Sequence, residues 1–306
     1  MARRIIIDTD PGIDDAVAIL LALAAPELEV LALAAVAGNV PLSVTERNAR
    51  SLLDLAGRGD VPVYAGCPRP LGRQRRRAEH AHGAGGLGNL ALPPPTVPLR
   101  PEHGVVWLID TLRAAAPHSI TLCALGPLTN IATALVMAPE IAAGVAALVL
   151  MGGGTRGNTT PAAEFNIWAD PQAAAIVFDS GLPITMVPLD VTQQVRSTPE
   201  HVEQIRRLGT RCSAAVAELI SPPRAQPGRP AMAMHDPCVI AFLLAPELFG
   251  GAEAHVAVET QSPLTAGMTV IDRPVRAGRP ANARVLETVD ADGVYRLLAG
   301  QIAHLP

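Results

Sequence analysis

The stretch Ile5–Leu20, "IIIDTDPGIDDAVAIL", holds a strand, a turn and the start of a helix. Ile5, Ile6 and Ile7 form a purely aliphatic β-branched run, the pattern of a strand buried on both faces. Pro11–Gly12 forces a turn, and an amphipathic pattern begins at Ile13. Asp8, Asp10, Asp14 and Asp15 sit between these two apolar runs. Like charges this close repel unless a cation or a shared proton relieves them.

A helix start favours an acid, because its first N–H groups lack partners. Such a cap accounts for one or two of these carboxylates, not four. A hard divalent cation accounts for the excess, since Ca²⁺ takes about six to eight oxygen ligands. The spacing is not that of an EF-hand: the glycine comes too early and no glutamate closes the loop.

Outward from this unit, short apolar runs alternate with alanine-rich helical patterns. The expected strands are Arg4–Ile7, Val30–Val36, Val61–Tyr64, Ile120–Ala124, Ala147–Met151 and Ile184–Val187. The expected helices are Ile13–Ala25, Leu42–Ala56, Val105–Ala115, Leu128–Met137 and Pro171–Asp179. The fold class is therefore α/β: an open, mostly parallel sheet with helices on both faces. The last third reads as richer in helix, with a late strand pair at Met268–Ile271 and Arg284–Glu287. Cys67–Pro98 and Ser221–Met234 read as long loops, a length associated with lids. The "RQRRR" run at Arg73–Arg77 has no interleaved aromatic and reads as a solvated loop face.

The chain has 306 residues and is 49% hydrophobic, enough for one large domain or two small ones with a sizeable core; a single domain, 1–306, is expected. Its net charge of −4 gives no general pull towards nucleic acid or an anionic membrane. No apolar run is long enough to span a bilayer. Met1–Arg4 leads straight into the first strand without a signal-peptide cleavage pattern. Cys67, Cys123, Cys212 and Cys238 are scattered, with no C-x-x-C, and are expected to be reduced in a cytoplasmic protein. All 24 residues counted as Lys or Arg are arginine. A Schiff-base lysine and a Walker-type phosphate lysine are thereby excluded.

Polar residues follow several expected strands. Asn39 ends "AGN", Leu125–Asn130 is "LGPLTN", and "MGGGTRGN" leads to Asn158, Glu164 and Asn166. In open α/β sheets ligands sit at the carboxyl ends of strands, so these residues point to one site. His235–Asp236 opens "HDPCVIAFLLA", where Asp236 reads as a helix cap with Pro237 in the first turn. His82, in "HAHGAGGLGN", reads as a loop histidine. Gly152–Gly154 lacks the spacing of a phosphate-binding loop.

Taken in order, "DTDPGIDDA", "AGNVPLSVTERNA", "LGPLTNIA", "MGGG", "GNTTPAAEFNIWADPQAA", "MHDP" and "AGMTVID" resemble the nucleoside hydrolases of the inosine–uridine type. The resemblance covers nearly the whole chain. It implies a Ca²⁺-dependent hydrolase of ribonucleosides, releasing ribose and free base, and a homo-oligomer, tetramer or dimer. By position, Asp10, Asp15, the main-chain carbonyl of Leu125 and Asp236 match calcium ligands, and Asp10 the base that activates water. Asp14 and Asn39 match groups near the ribose 2′-hydroxyl and the attacking water. Asn158, Glu164 and Asn166 match groups that hold the 3′- and 5′-hydroxyls, and Met151 a residue packed under the sugar. His235 and His82 match histidines near the leaving base, where imidazole suits acid catalysis. Asp8 is expected to support the ligands from behind.

Two departures stand out. Many relatives carry an acidic or polar residue at the position of Gly85. Ser221–Met234 contains no aromatic residue, where relatives often place a tyrosine near the base; Arg224 and Gln226 are the polar substitutes. Base stacking contributes about 1–3 kcal/mol, so its loss either raises KM or shifts preference between purine and pyrimidine. Two alternatives remain at this point. A haloacid-dehalogenase-like phosphatase also places D-x-D after its first strand, although Gly12 and the lack of lysine argue against it. A non-catalytic ribose- or nucleoside-binding protein would keep the acidic cage without turnover.

Overall fold

The computed structural model describes residues 2–72, 83, 85–221, 232–273 and 278–306. Nine strands share one sheet: β1 (Arg3–Thr9), β2 (Leu28–Ala35), β3 (Val63–Ala65), β4 (Ile120–Ala124), β5 (Val145–Met151), β6 (Ile184–Val187), β7 (Phe249–Val258), β8 (Thr269–Asp272) and β9 (Ala283–Val289). Their order is β3-β2-β1-β4-β5-β6-β9-β7-β8. All adjacent pairs from β3 through β9 are parallel, and β7 runs antiparallel to both β9 and β8.

Alternation along the strands divides the core in two. Ile5 and Ile7 of β1 join Cys123 of β4 and Val149 of β5 on one face. Ile6, Leu122, Leu148 and Leu150 join the other. Both faces are covered, which is why the strands read as unbroken apolar runs. Helices α1 (Ile13–Ala24) and α2 (Leu42–Ala56) pack on the first face. Helices α3 (Gly104–Ala114) and α4 (Thr129–Met137) pack on the second. In α1 every residue except Asp14 is buried. Burying each large aliphatic side chain there contributes about 1.5–3 kcal/mol.

The later helices are α5 (Phe165–Ala169), α6 (Pro171–Phe178), α7 (Leu189–Thr192), α8 (Pro199–Arg206), α9 (Arg211–Leu219), α10 (Pro237–Leu244) and α11 (Ala291–Ile302). Side chains of α9, α10 and α11 complete the core cluster around α1.

The expected boundaries shift where local chemistry intervenes. The third strand begins at Val63 rather than Val61. Pro62 has no N–H to give a ladder, and Val61 N–H instead closes a turn onto Arg58 O at 3.1 Å. The expected pairing of the last two strands is incorrect: β7 lies between β8 and β9 and pairs with both. The sequence of β7, "FGGAEAHVAV", hid it, because Gly250–Gly251 reads as a breaker and its middle is exposed. The last third is accordingly mixed rather than helical. The described parts of 67–98 and 221–234 lie outside helices and strands, apart from an isolated bridge between Arg196 and Ala233. His82, Arg73–Arg77, Arg224 and Gln226 lie outside the described residues. The four cysteines are free, and all but Cys67 are buried. Among the described residues no helix is long and apolar enough to cross a membrane.

Candidate active site

The sheet order reverses at β1. The chain first builds β2 and β3 on one side, then crosses to β4 on the other. Connections therefore leave the carboxyl ends of β1 and β4 in opposite directions and open a crevice between them. Asp10 follows β1, Leu125 follows β4, and Leu125 N–H donates to Asp8 O at 2.8 Å.

Asp10 is fully buried. Its Oδ2 accepts the main-chain N–H of Asn39 at 2.6 Å, while Oδ1 has no hydrogen-bond partner among the described residues. Two glycines let the chain close around this carboxylate: a Cβ at Gly38 would overlap Oδ2, and one at Gly126 would overlap Oδ1. Asp15 folds back over the helix start. Its Oδ2 accepts Gly12 N–H at 2.9 Å and the Asn39 amide at 3.2 Å, and its Oδ1 accepts the Thr9 hydroxyl at 2.6 Å.

Asp236 occupies the cap position of α10 without a side-chain capping bond. Its carboxylate turns to the acidic group instead, so the cap reading does not hold. Asp14, Asp15 and Asp236 each bring an oxygen within 4.8 Å of the others. Asp14, expected at the sugar, thus also contributes to the acidic cluster.

The cost of this arrangement appears in its proton affinities. Burial, then the Asp15 charge, pushes the Asp10 carboxyl well above the usual range. Burial and the charges of Asp14, Asp15 and Asp10 do the same to Asp236. Burial raises Asp8 to about 7, against the pull of the Asn130 amide. A bound cation would reverse these shifts by favouring ionised carboxylates.

On the other rim, Asn166 joins the ends of β4 and β5. Its amide donates to Leu125 O at 2.7 Å and Met151 O at 3.1 Å. Glu164 caps α5, accepting N–H bonds from Gly153, Asn166 and Ile167 at 3.0, 2.9 and 3.2 Å. Burial still lifts its carboxyl to about 7. Met151 is buried at the end of β5. Asn158 is exposed, and its side-chain oxygen accepts Phe165 N–H at 3.0 Å. His235 is half-buried beside Asp236, with Nδ1 2.7 Å from the Thr192 hydroxyl.

Several residues here received no role from the sequence. Asn130 donates to Asp8 Oδ2 at 2.8 Å and to Ala35 O at 3.3 Å, and accepts Cys67 N–H at 2.7 Å. It locks β1 and β2 to the start of α4. Its place at the end of "LGPLTN" was the available signal. Gly38 and Gly126 were marked only by their neighbours Asn39 and Leu125. Thr192 gave no signal, since 43 residues separate it from His235.

The comparisons with known proteins agree with this geometry. The family model described as inosine–uridine preferring nucleoside hydrolase matches residues 5–296. The pyrimidine-specific ribonucleoside hydrolase RihA of Shewanella sp. (strain ANA-3) is 45% identical over 312 residues, covering 99% of this chain and 97% of that protein. Among solved structures, the purine-preferring ribonucleoside hydrolase from Gardnerella vaginalis superposes with a TM-score of 0.91 at 31% identity, covering 98% of each chain. The plant nucleoside hydrolase PpNRh1 does so with a TM-score of 0.91 at 34% identity, covering 99% of each chain. These matches remove the phosphatase and the non-catalytic binding protein as readings. With an acidic crevice at the sheet's switch point, and a family model matched almost from end to end, the chain belongs to the inosine–uridine preferring nucleoside hydrolases and is a ribonucleoside hydrolase.

Proposed function

We propose that this chain is a Ca²⁺-dependent hydrolase that prefers pyrimidine ribonucleosides and releases ribose and free base. The observation that carries the reading is the buried, unpartnered Oδ1 of Asp10 beside the Asp14–Asp15–Asp236 cluster. A buried carboxylate oxygen without a donor is costly unless a cation or substrate completes it. Asp10, Asp15, Asp236 and the Leu125 carbonyl offer only hard oxygen donors, which suits Ca²⁺. When bound, the ion supplies positive charge that lets these carboxylates ionise together and makes nearby water more acidic.

The remaining steps fall to the chain's own residues. Asp10 Oδ1 takes a proton from the attacking water as its oxygen bonds to the ribose C1′. The C1′–nitrogen bond breaks, and its electron pair leaves with the base. Positive charge builds on the sugar during this change, as in glycoside hydrolysis, and the acidic crevice stabilises it. Asn39 holds Asp10 and Asp15 in place through the bonds described above. Asp14 binds the 2′-hydroxyl; Asn158, Glu164 and Asn166 bind the 3′- and 5′-hydroxyls; Met151 packs under the ring. His235 assists the departing base, and His82 is proposed to do so as well.

Pyrimidine preference rests on the printed specificity of the Shewanella relative, which is 45% identical to this chain. The proposal includes one domain over 1–306, supported by strands from Arg3 to Val289 in a single sheet. It also includes a cytoplasmic homo-oligomer, dimer or tetramer, with no nucleic-acid or membrane partner. The test is a panel of uridine, cytidine, inosine, adenosine and guanosine, assayed with Ca²⁺ and with chelator. Uridine and cytidine should be cleaved fastest, and only with Ca²⁺. Faster inosine cleavage would overturn the base preference, and chelator resistance the metal dependence.

A further inference from the structure

We infer that Thr192 is a positioning residue that sets the tautomer and orientation of His235, so that Nε2–H is presented as a donor to the leaving base. The inference rests on the proposed place of His235 beside the base. Thr192 is fully buried at the end of α7, and its hydroxyl lies 2.7 Å from His235 Nδ1. Among the described residues this hydroxyl has no other bond that the structure shows.

A neutral imidazole has one donor nitrogen and one acceptor nitrogen, and its partners decide which is which. If Nδ1–H donated to Thr192, the hydroxyl hydrogen would be left buried without an acceptor. That costs about 1–3 kcal/mol. If the hydroxyl donates to Nδ1, both groups are satisfied and the ring hydrogen sits on Nε2. A donor nitrogen is what the departing base needs as negative charge develops on it. The role asks for hydrogen-bond donation and no net proton loss from His235; the base takes its proton from solvent.

Both partners are held by their main chains. Leu189 N–H donates to Gly153 O at 2.9 Å, and Asp190 accepts Thr155 N–H at 2.8 Å, which ties α7 to the turn after β5. On the other side, Met234 N–H donates to Val195 O at 2.8 Å, and Ser197 N–H to Met232 O at 2.9 Å. These bonds fix the backbone that leads into His235. The Thr192 hydroxyl then fixes the ring.

The test uses the full-length protein with Ca²⁺ and two substrates: uridine, and a nitrophenyl riboside whose leaving group needs no donor. Thr192→Val should lower kcat for uridine on the order of 10- to 100-fold, as misplacement of a catalytic group does. KM, and turnover of the nitrophenyl riboside, should move by less than about twofold, because the lost interaction belongs to the transition state. Thr192→Ser, which keeps the hydroxyl, should restore uridine turnover. His235→Ala should show the same selectivity between the substrates. In ¹⁵N-labelled protein the His235 ring, assigned by its loss in His235→Ala, should carry its hydrogen on Nε2 and lose that preference in Thr192→Val.

Equal slowing of both substrates, unchanged uridine turnover in Thr192→Val, or a hydrogen on Nδ1 in the wild type would each overturn the inference. So would a slow Thr192→Val beside a fast His235→Ala. A wild type that cleaves no nucleoside would refute the proposed function instead, and the ¹⁵N spectrum would still decide the role of Thr192.

Discussion

Asn39 donates its main-chain N–H to Asp10 Oδ2 at 2.6 Å, while the other oxygen of that carboxylate is buried with no partner among the described residues. The same residue reaches Asp15 through its side-chain amide. One asparagine after β2 thereby orders two acids on either side of the turn after β1. Asn39→Ala keeps the main-chain bond and removes the amide. Supporting groups of this kind are worth about 10- to 100-fold in metal affinity or activity. Steady-state kinetics and calcium titration of Asn39→Ala should show a loss of that size, and a fully active variant would remove Asn39 from the site.

In the proposed mechanism Asp10 takes the proton from the attacking water. Asp10→Asn keeps the shape and loses the base, so kcat for uridine should fall by about 10²- to 10⁴-fold. Circular dichroism and the melting temperature should show that the fold persists. Retention of turnover in this variant would move the base elsewhere.

Gly38 and Gly126 test the packing around the same carboxylate. A methyl group at either position would displace Asp10 rather than open space. Gly38→Ala and Gly126→Ala should each destabilise the protein by about 1–3 kcal/mol. Both should also weaken calcium binding. Gly85→Ala is the control, since its Cβ would have no atom of the described residues within 4 Å. Equal behaviour of the three variants in thermal melts and calcium titrations would contradict the packing described here.

The raised carboxyls predict how calcium and pH act together. Well below the ordinary aspartate value of 3.8, Asp8, Asp10 and Asp236 are protonated in folded and unfolded chains alike, and burial adds no ionisation cost. As pH rises past that value the unfolded chain releases its protons, while the metal-free fold retains them. Stability of the metal-free fold therefore falls with rising pH, and for Asp8 the loss is complete only above about 7. In the proposed site calcium would bind the ionised form, so the rise in melting temperature on adding it should be larger near pH 8 than near pH 5. At about 100 times its Kd the ion adds about 2.7 kcal/mol. A calcium-induced shift that is larger at the lower pH would reverse the sign and contradict the acidic-cluster account.

How much of this was legible in the sequence depended on how local each signal was. The parallel strands were readable because β1, β4 and β5 are buried on both faces and so carry unbroken apolar runs. β7 was not readable, because one half-exposed strand with two glycines loses both the apolar run and the alternation. Asp10, Asp15 and Asp236 could be named from their motifs, and the structure brings them to one crevice. What was not readable is the contact made across distance. Asn130 on Asp8, and Thr192 on His235, depend on how β4 and β6 are threaded through the sheet, and no spacing in the chain encodes that.

The most direct measurement is uridine hydrolysis by protein stripped with chelator and then titrated with Ca²⁺. The account predicts that turnover vanishes on stripping and returns in step with the binding of one ion per chain, and that Asp236→Ala abolishes both. Full turnover in excess chelator, or calcium binding that leaves activity unchanged, would contradict it.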